Sequence, residues 1–239
     1  MNDLSSRDLR ATLLGEDPTR LSDEDLLAGL LSFSVNTGAV PLARKLLSAC
    51  GTLSGVLSSD GETLRRLGVS DHTACLLQML LPAYGRALLS EIPCDTVFDS
   101  VAKIGDYFTR LFCGVTVEKV HLMLLRENYT LLSCKLVAVG SVNSANLNLR
   151  SLLETALFAD AKYAVLAHNH PGGAPQPSAS DIATTVNLKN AFESVGVGLL
   201  EHLVVAGKRF VPILLSSDDV CREVPDAFYH FPGELADRP

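Results

Sequence analysis

The chain predicts a small all-helical segment followed by an α/β domain, and three observations carry that prediction. The first ninety residues or so hold short apolar stretches at helical spacing, each opened by a polar residue. From Val117 the texture changes to strand-like apolar runs alternating with helical segments. One of those runs, Tyr163-Ala164-Val165-Leu166-Ala167, breaks at His168-Asn169-His170 into a loop rich in proline and glycine.

The helical segment is justified piece by piece. Ser22 precedes Asp23-Glu24-Asp25 and the apolar run Leu26 to Leu31, so Ser22 is expected to cap a helix, with Asp25 completing an approximate capping box. Pro41 is expected at the first position of a helix through Leu47. Glu62 to His72 predicts helix, tight turn at Gly68, helix. Leu76 to Leu89 continues helically, with Pro82 a kink or early break. Ile92-Pro93-Cys94-Asp95 then serves as a linker, and a helix follows with Val101, Ile104, Phe108 and Leu111 on one face.

In the second part, 117–125 and 131–139 are expected strands joined at Arg126-Glu127-Asn128. Ser151 is expected to cap a helix running to about Ala159. A strand over 161–167 carries the histidines at its C-terminal end. After the loop Pro171 to Pro177, a helix runs from about Ser178 to Ser194, and 197–205 and 209–214 are the last strands.

Composition narrows the function. At 239 residues and 47% hydrophobic, with mean hydropathy +0.24, the chain can bury a real core. No apolar run approaches the ~20 residues of a membrane helix, and the first residues show no leader pattern, so the expectation is a cytoplasmic protein without a membrane partner. The six cysteines are scattered without a C-x-x-C pair, which argues against disulfides and against a cysteine zinc site; most are expected to be small buried hydrophobes. Net charge is -7, and residues 1–95 carry eight Lys/Arg against twelve Asp/Glu, which argues against a broad electrostatic grip on DNA.

The chemistry concentrates in His168-x-His170-x7-Ser178-x2-Asp181. On an extended segment His168 and His170 leave the same face, about 6.6 Å apart at the backbone, and can converge on one ion. Asp181 falls in the first turn of the next helix, where an anionic side chain suits the helix dipole. Ser178 with Asp181 is also an N-terminal capping signal, and the two roles are compatible. Two imidazoles and a carboxylate leave a fourth zinc position open for water, the mark of a catalytic site. A base that is not a ligand must then take the proton. Glu118, Glu127, Glu154 and Glu201 are the candidates, and spacing does not choose among them.

Val139-Gly140-Ser141-Val142-Asn143-Ser144, Ala167-His168-Asn169-His170-Pro171-Gly172-Gly173, Pro177-Ser178-Ala179-Ser180-Asp181 and Leu200-Glu201-His202-Leu203-Val204-Val205 together resemble the RadC-like family of the JAB/MPN (JAMM) metalloprotease superfamily. The resemblance implies a helix-hairpin-helix-like domain in the N-terminal helices, residues 1–92 up to the linker, and a JAB domain over 97–215; the Pro/Asp-rich residues 216–239 are read as a C-terminal tail. It implies a cytidine-deaminase-like mixed sheet with flanking helices. It implies zinc held by His168, His170 and Asp181, Glu118 as the base, and Ser178 orienting the water or bonding an oxyanion. The chain departs from the family pattern at Gly172, where Ser is usual, at Glu201, where Asp is usual, and at Lys135, where a carboxylate is common. Ser70 replaces the second glycine of the usual hairpin Gly-x-Gly, which normally lets backbone N–H groups approach phosphate.

Two functions follow as expectations. One is a zinc metallopeptidase that uses a zinc-bound water and a glutamate base to hydrolyse a peptide or isopeptide bond in a protein substrate. The other is a DNA-associated recombination or repair factor that binds through the N-terminal hairpin and uses the JAB domain as a scaffold. A zinc nucleobase deaminase is set aside, because neither H-x-E nor P-C-x-x-C occurs.

Overall fold

The computed structural model describes residues 6–15, 17–140 and 147–215. Ser141 to Ser144 of the quoted motif, the tail from 216 and Cys221 lie outside the described residues. The chain divides into two compact units, Met1–Tyr84 and Gly85–Pro239. The division falls inside a helix, upstream of the 92–97 boundary expected from the Ile92-Pro93 linker.

The first unit contains α1 (Ser6–Leu14), α2 (Asp23–Leu31), α3 (Ala39–Cys50), α4 (Leu53–Leu57), α5 (Gly61–Arg66) and the start of α6 (Asp71–Ser90). Side chains cap four of these helices: Ser22 accepts from Asp25 N–H, Thr52 from Gly55 N–H, Asp60 from Thr63 N–H and Ser70 from Thr73 N–H. Each such cap contributes about 1 kcal/mol. Leu27, Leu31, Ala43, Leu46, Val56, Leu64 and Leu77 form the core of this unit. Gly68 makes the turn between α5 and α6 at φ 98°, in the left-handed region that favours glycine.

Two local expectations are corrected here. α3 begins at Ala39 with Gly38 as its N-cap, so Pro41 is its third residue; proline is tolerated there because first-turn N–H groups have no intrahelical partner. α6 continues through Pro82 to Ser90 instead of breaking.

The second unit places α7 (Val101–Leu111), α8 (Leu149–Phe158) and α9 (Ala179–Ser194) around a five-stranded mixed sheet in the order β2-β1-β3-β4-β5. The strands are β1 (Lys119–Leu125), β2 (Leu131–Val139), β3 (Tyr163–Asn169), β4 (Gly198–Ala206) and β5 (Arg209–Pro212). β1 is antiparallel to β2 and β3, β3 is parallel to β4, and β5 returns antiparallel. On one face Val120, Leu122, Leu124 and Leu166 pack with Leu152 and Ala156 of α8 and Leu188 and Phe192 of α9. On the other face Met123, Leu125, Val165, Ala167, Leu203 and Val205 pack with Val101, Ile104 and Phe108 of α7. Covered on both faces, β3 and β4 are buried almost continuously rather than at alternate residues.

Asn148, not Ser151, caps α8; Ser151 is its third residue and donates its N–H to Asn148 Oδ1 at 3.2 Å. β5 ends at Pro212, short of the expected Leu214. None of the five described cysteines is fully buried: Cys75 and Cys94 are exposed, and Cys50, Cys113 and Cys134 are half-buried. Among the described residues no helix is long and apolar enough to cross a membrane.

Candidate metal centre

The C-terminal end of β3 delivers both histidines. His168 pairs with Val120 of β1 on one side and Val204 of β4 on the other. It alternates with Leu166 and Ala164, so its ring leaves on the α8/α9 face, where it is fully buried. His170 lies just beyond the strand, still pinned by its N–H to Val205 O at 2.8 Å. The Pro/Gly loop then folds back: Gly173 N–H donates to His170 O at 3.3 Å, and Gly172 adopts φ 68°.

His168 Nε2 and His170 Nε2 approach to 3.1 Å. The far side of the His170 ring, Nδ1, donates to Ala174 O at 3.1 Å, the carbonyl being able only to accept. Asp181 Oδ1 lies 3.5 Å from His168 Nε2. The other oxygen, Oδ2, is held by Ser178 N–H and by the Ser178 hydroxyl, each at 2.7 Å. Ser178 Oγ in turn accepts from Asp181 N–H at 3.1 Å, so the capping box at the start of α9 also aims the carboxylate.

Glu118 immediately precedes β1, and the ligand atoms of Glu118, His168 and His170 lie within 4.8 Å of one another. The other three glutamates are elsewhere. Glu127 lines a cleft with Arg126, Asp160 and Lys162 at the opposite end of β3. Glu154 pairs with Arg150 along α8 at 2.8 Å. Glu201 is fully buried and accepts from the backbone N–H groups of His202, Leu214 and Leu215. Burial pushes the Glu201 carboxyl up to about 7 against the pull of those N–H groups.

Three side chains with no role assigned from sequence join the site. His202 Nε2 lies 2.9 Å from His168 Nδ1, and His202 Nδ1 lies 2.6 Å from Thr185 Oγ1. Asn169 donates to Val117 O at 3.0 Å and accepts from Lys119 N–H at 2.8 Å, bracketing Glu118. A signal for His202 does exist in the sequence: Glu201 and His202 are the only polar side chains in the otherwise apolar strand β4.

The donor set fits a zinc ion. Two tetrahedral ligands at zinc–nitrogen distances of 2.0–2.1 Å stand about 3.3 Å apart, close to the 3.1 Å between the two Nε2 atoms. Burial also favours the neutral, metal-binding form of the His168 ring. Burial lowers His168 to about 4, the charge of Asp181 pulling it back up only in part, and burial holds His202 well below its usual value.

Fold and site define a class: a mixed-sheet α/β domain in which ligand atoms of Glu118, His168 and His170 converge as a group that could hold a metal ion, with the Asp181 carboxylate beside His168. Comparison with known proteins gives the family. Residues 98–216 match the family model described as a RadC-like JAB domain. The UPF0758 protein of Methylibium petroleiphilum is 35% identical over 82% of this chain and 90% of its own length. The UPF0758 protein of Stenotrophomonas maltophilia strain K279a is 34% identical over 84% of this chain and 87% of its own. That of Herminiimonas arsenicoxydans is 31% identical over 84% and 90%. The chain belongs to the RadC-like JAB family.

Proposed function

We propose that this protein is a zinc-dependent hydrolase of peptide or isopeptide bonds. The observation that carries the reading is the convergence of Glu118, His168 and His170 ligand atoms within 4.8 Å, with Asp181 alongside. The wider JAB superfamily includes metalloproteases, which agrees with this donor set.

His168, His170 and Asp181 would hold the metal. When bound there, zinc would acidify a water and polarise the scissile carbonyl. Glu118, whose carboxylate converges with the two histidines but to which this reading gives the proton rather than the metal, takes the proton of the attacking water and returns it to the leaving amine. Asp181 is aimed by Ser178 and by the start of α9. The Ser178 hydroxyl, which donates to Asp181 Oδ2, becomes available to an oxyanion only by rotating off that carboxylate.

The DNA-binding alternative draws less support from the N-terminal unit. Arg65 and Arg66, the cations just before Gly68, are tied to Asp71 at 2.9 Å and Glu62 at 3.4 Å.

The test covers many substrates at once. Zinc-loaded protein is incubated with a proteome-derived peptide library and with isopeptide-linked conjugates, and new amines are read by mass spectrometry. Cleavage by the wild type, lost in Glu118→Gln and in metal-stripped protein, is expected. Equal product from wild type and Glu118→Gln overturns the proposal.

A further inference from the structure

We infer that Thr185 and His202 are positioning residues that select the tautomer of His168, leaving the lone pair of its Nε2 directed into the metal centre. The inference rests on the zinc reading above for its purpose, but the hydrogen bonds that carry it are independent of any metal.

Thr185 Oγ1 lies 2.6 Å from Asp181 O, one turn back along α9. A carbonyl oxygen carries no proton, so the Thr185 hydroxyl must donate to it. That hydroxyl has only one proton. Its 2.6 Å contact with His202 Nδ1 therefore needs the proton to come from the ring, and His202 Nδ1–H donates to Thr185 Oγ1. In a neutral imidazole the other nitrogen is then an acceptor. The 2.9 Å contact between His202 Nε2 and His168 Nδ1 is consequently a donation from His168 Nδ1–H. His168 Nε2 is left without a proton.

All three side chains are buried: His168 and His202 are 0% exposed and Thr185 is 1% exposed. Water cannot substitute for a missing partner, so each link dictates the next. The end of the file is the backbone carbonyl of Asp181, whose own carboxylate Oδ1 faces the same Nε2 from 3.5 Å. One residue of α9 thus supplies both a ligand atom and the anchor that orients a second ligand. His170 Nδ1 donates separately to Ala174 O, so the neutral form of that ring likewise presents an unprotonated Nε2. Two imidazole lone pairs and a carboxylate oxygen then meet with no proton among them, an arrangement that a cation relieves. Hydrogen bonding of the distal nitrogen is the usual way a protein fixes a metal-binding histidine, and its loss typically lowers metal affinity 10–100-fold.

The experiment uses the full-length protein. In metal-free wild type, long-range ¹H–¹⁵N correlation spectra should show His168 protonated at Nδ1 alone. Thr185→Val keeps the shape of the side chain and removes the hydroxyl; it should mix the His168 tautomers and weaken zinc binding about 10–100-fold in competition with a chromophoric chelator. Thr185→Ser restores the hydroxyl and should return affinity to within about threefold. A Thr185→Val protein with wild-type zinc affinity and an unchanged His168 tautomer overturns the inference. Should Thr185→Val fail to fold, the wild-type spectrum decides: a proton on His168 Nε2 overturns it. A wild type that binds no zinc removes the hydrolase reading, while the tautomer spectrum still decides this one.

Discussion

Asn169 takes the place of a strand beside Lys119: the Lys119 N–H donates to Asn169 Oδ1 at 2.8 Å, and Asn169 Nδ2 donates to Val117 O at 3.0 Å. β1 and β3 pair through Val120 and His168, after which the chain turns toward β4. The side-chain amide offers one donor and one acceptor, as a peptide group does, and so prolongs the ladder across Glu118. From the other side Gly140 N–H holds Glu118 O at 2.8 Å.

Asn169→Ala should therefore destabilise the fold by about 1–2 kcal/mol, since two part-buried hydrogen bonds to the backbone are lost. Urea unfolding measures this, and hydrogen exchange at the Lys119 amide should accelerate. Zinc affinity should change less than about threefold, because Asn169 touches no proposed ligand atom.

Metal content separates ligand from bystander. Wild type should carry one zinc per chain by plasma emission analysis, and His168→Ala or Asp181→Ala almost none. Free zinc at a hundredfold its Kd should stabilise wild type by about 2.7 kcal/mol, seen as a raised Tm that a chelator reverses. His168→Ala should show no such rise.

Ser178→Ala tests whether the cap and the carboxylate orientation are one device. The cap should cost about 1 kcal/mol of stability. Zinc affinity should fall roughly tenfold, through loss of the hydroxyl that steadies Asp181 Oδ2. A variant that loses stability and keeps full affinity would assign Ser178 to capping alone.

Acidification should unfold the metal-free protein in a defined window. His168 titrates near 4 in the folded chain, mainly because it is buried, and near 6.5 when unfolded. Between those values the unfolded chain binds more protons, so this stability is complete above about pH 6.5 and is lost as pH falls toward 4. The size is about 3 kcal/mol. Glu201 has the opposite sign: raised to about 7 from 4.5 by burial, it contributes most at low pH and loses that contribution as pH rises through this interval. Urea midpoints between pH 7 and 4 should therefore fall more steeply in Glu201→Gln than in wild type.

Much of the architecture is legible in the sequence because its causes are local. Alternation, apolar runs and caps place β1 to β4, α7 and α9 within a residue or two of where they lie. Ser178 and Asp181 can be paired because a capping box spans only four residues. Where two local signals compete, the string does not choose between them. Asn148 and Ser151 are both good capping residues, and the folded chain uses Asn148 for α8. The cysteines depart from expectation because a small thiol suits a surface helix as well as a core.

The amino-acid sequence by itself determined that His168 and His170 share one face of a strand end and that an anionic side chain opens the helix after the loop. Strand periodicity and helix capping act over a few residues and leave their mark in the string. Spacing left four glutamates open and only the family resemblance pointed to Glu118; the physical reason that Glu118 stands beside the histidines lies in the tertiary structure. The antiparallel register of Val120 on His168 sets Glu118 there, while the same sheet and its helices carry Glu127 to the far end, Glu154 onto α8 and Glu201 onto buried amides. The partners of Asn169, Thr185 and His202 were likewise invisible, because a buried hydrogen bond is specified by whichever donor or acceptor the folded chain brings within about 3 Å, and no spacing along the sequence encodes that.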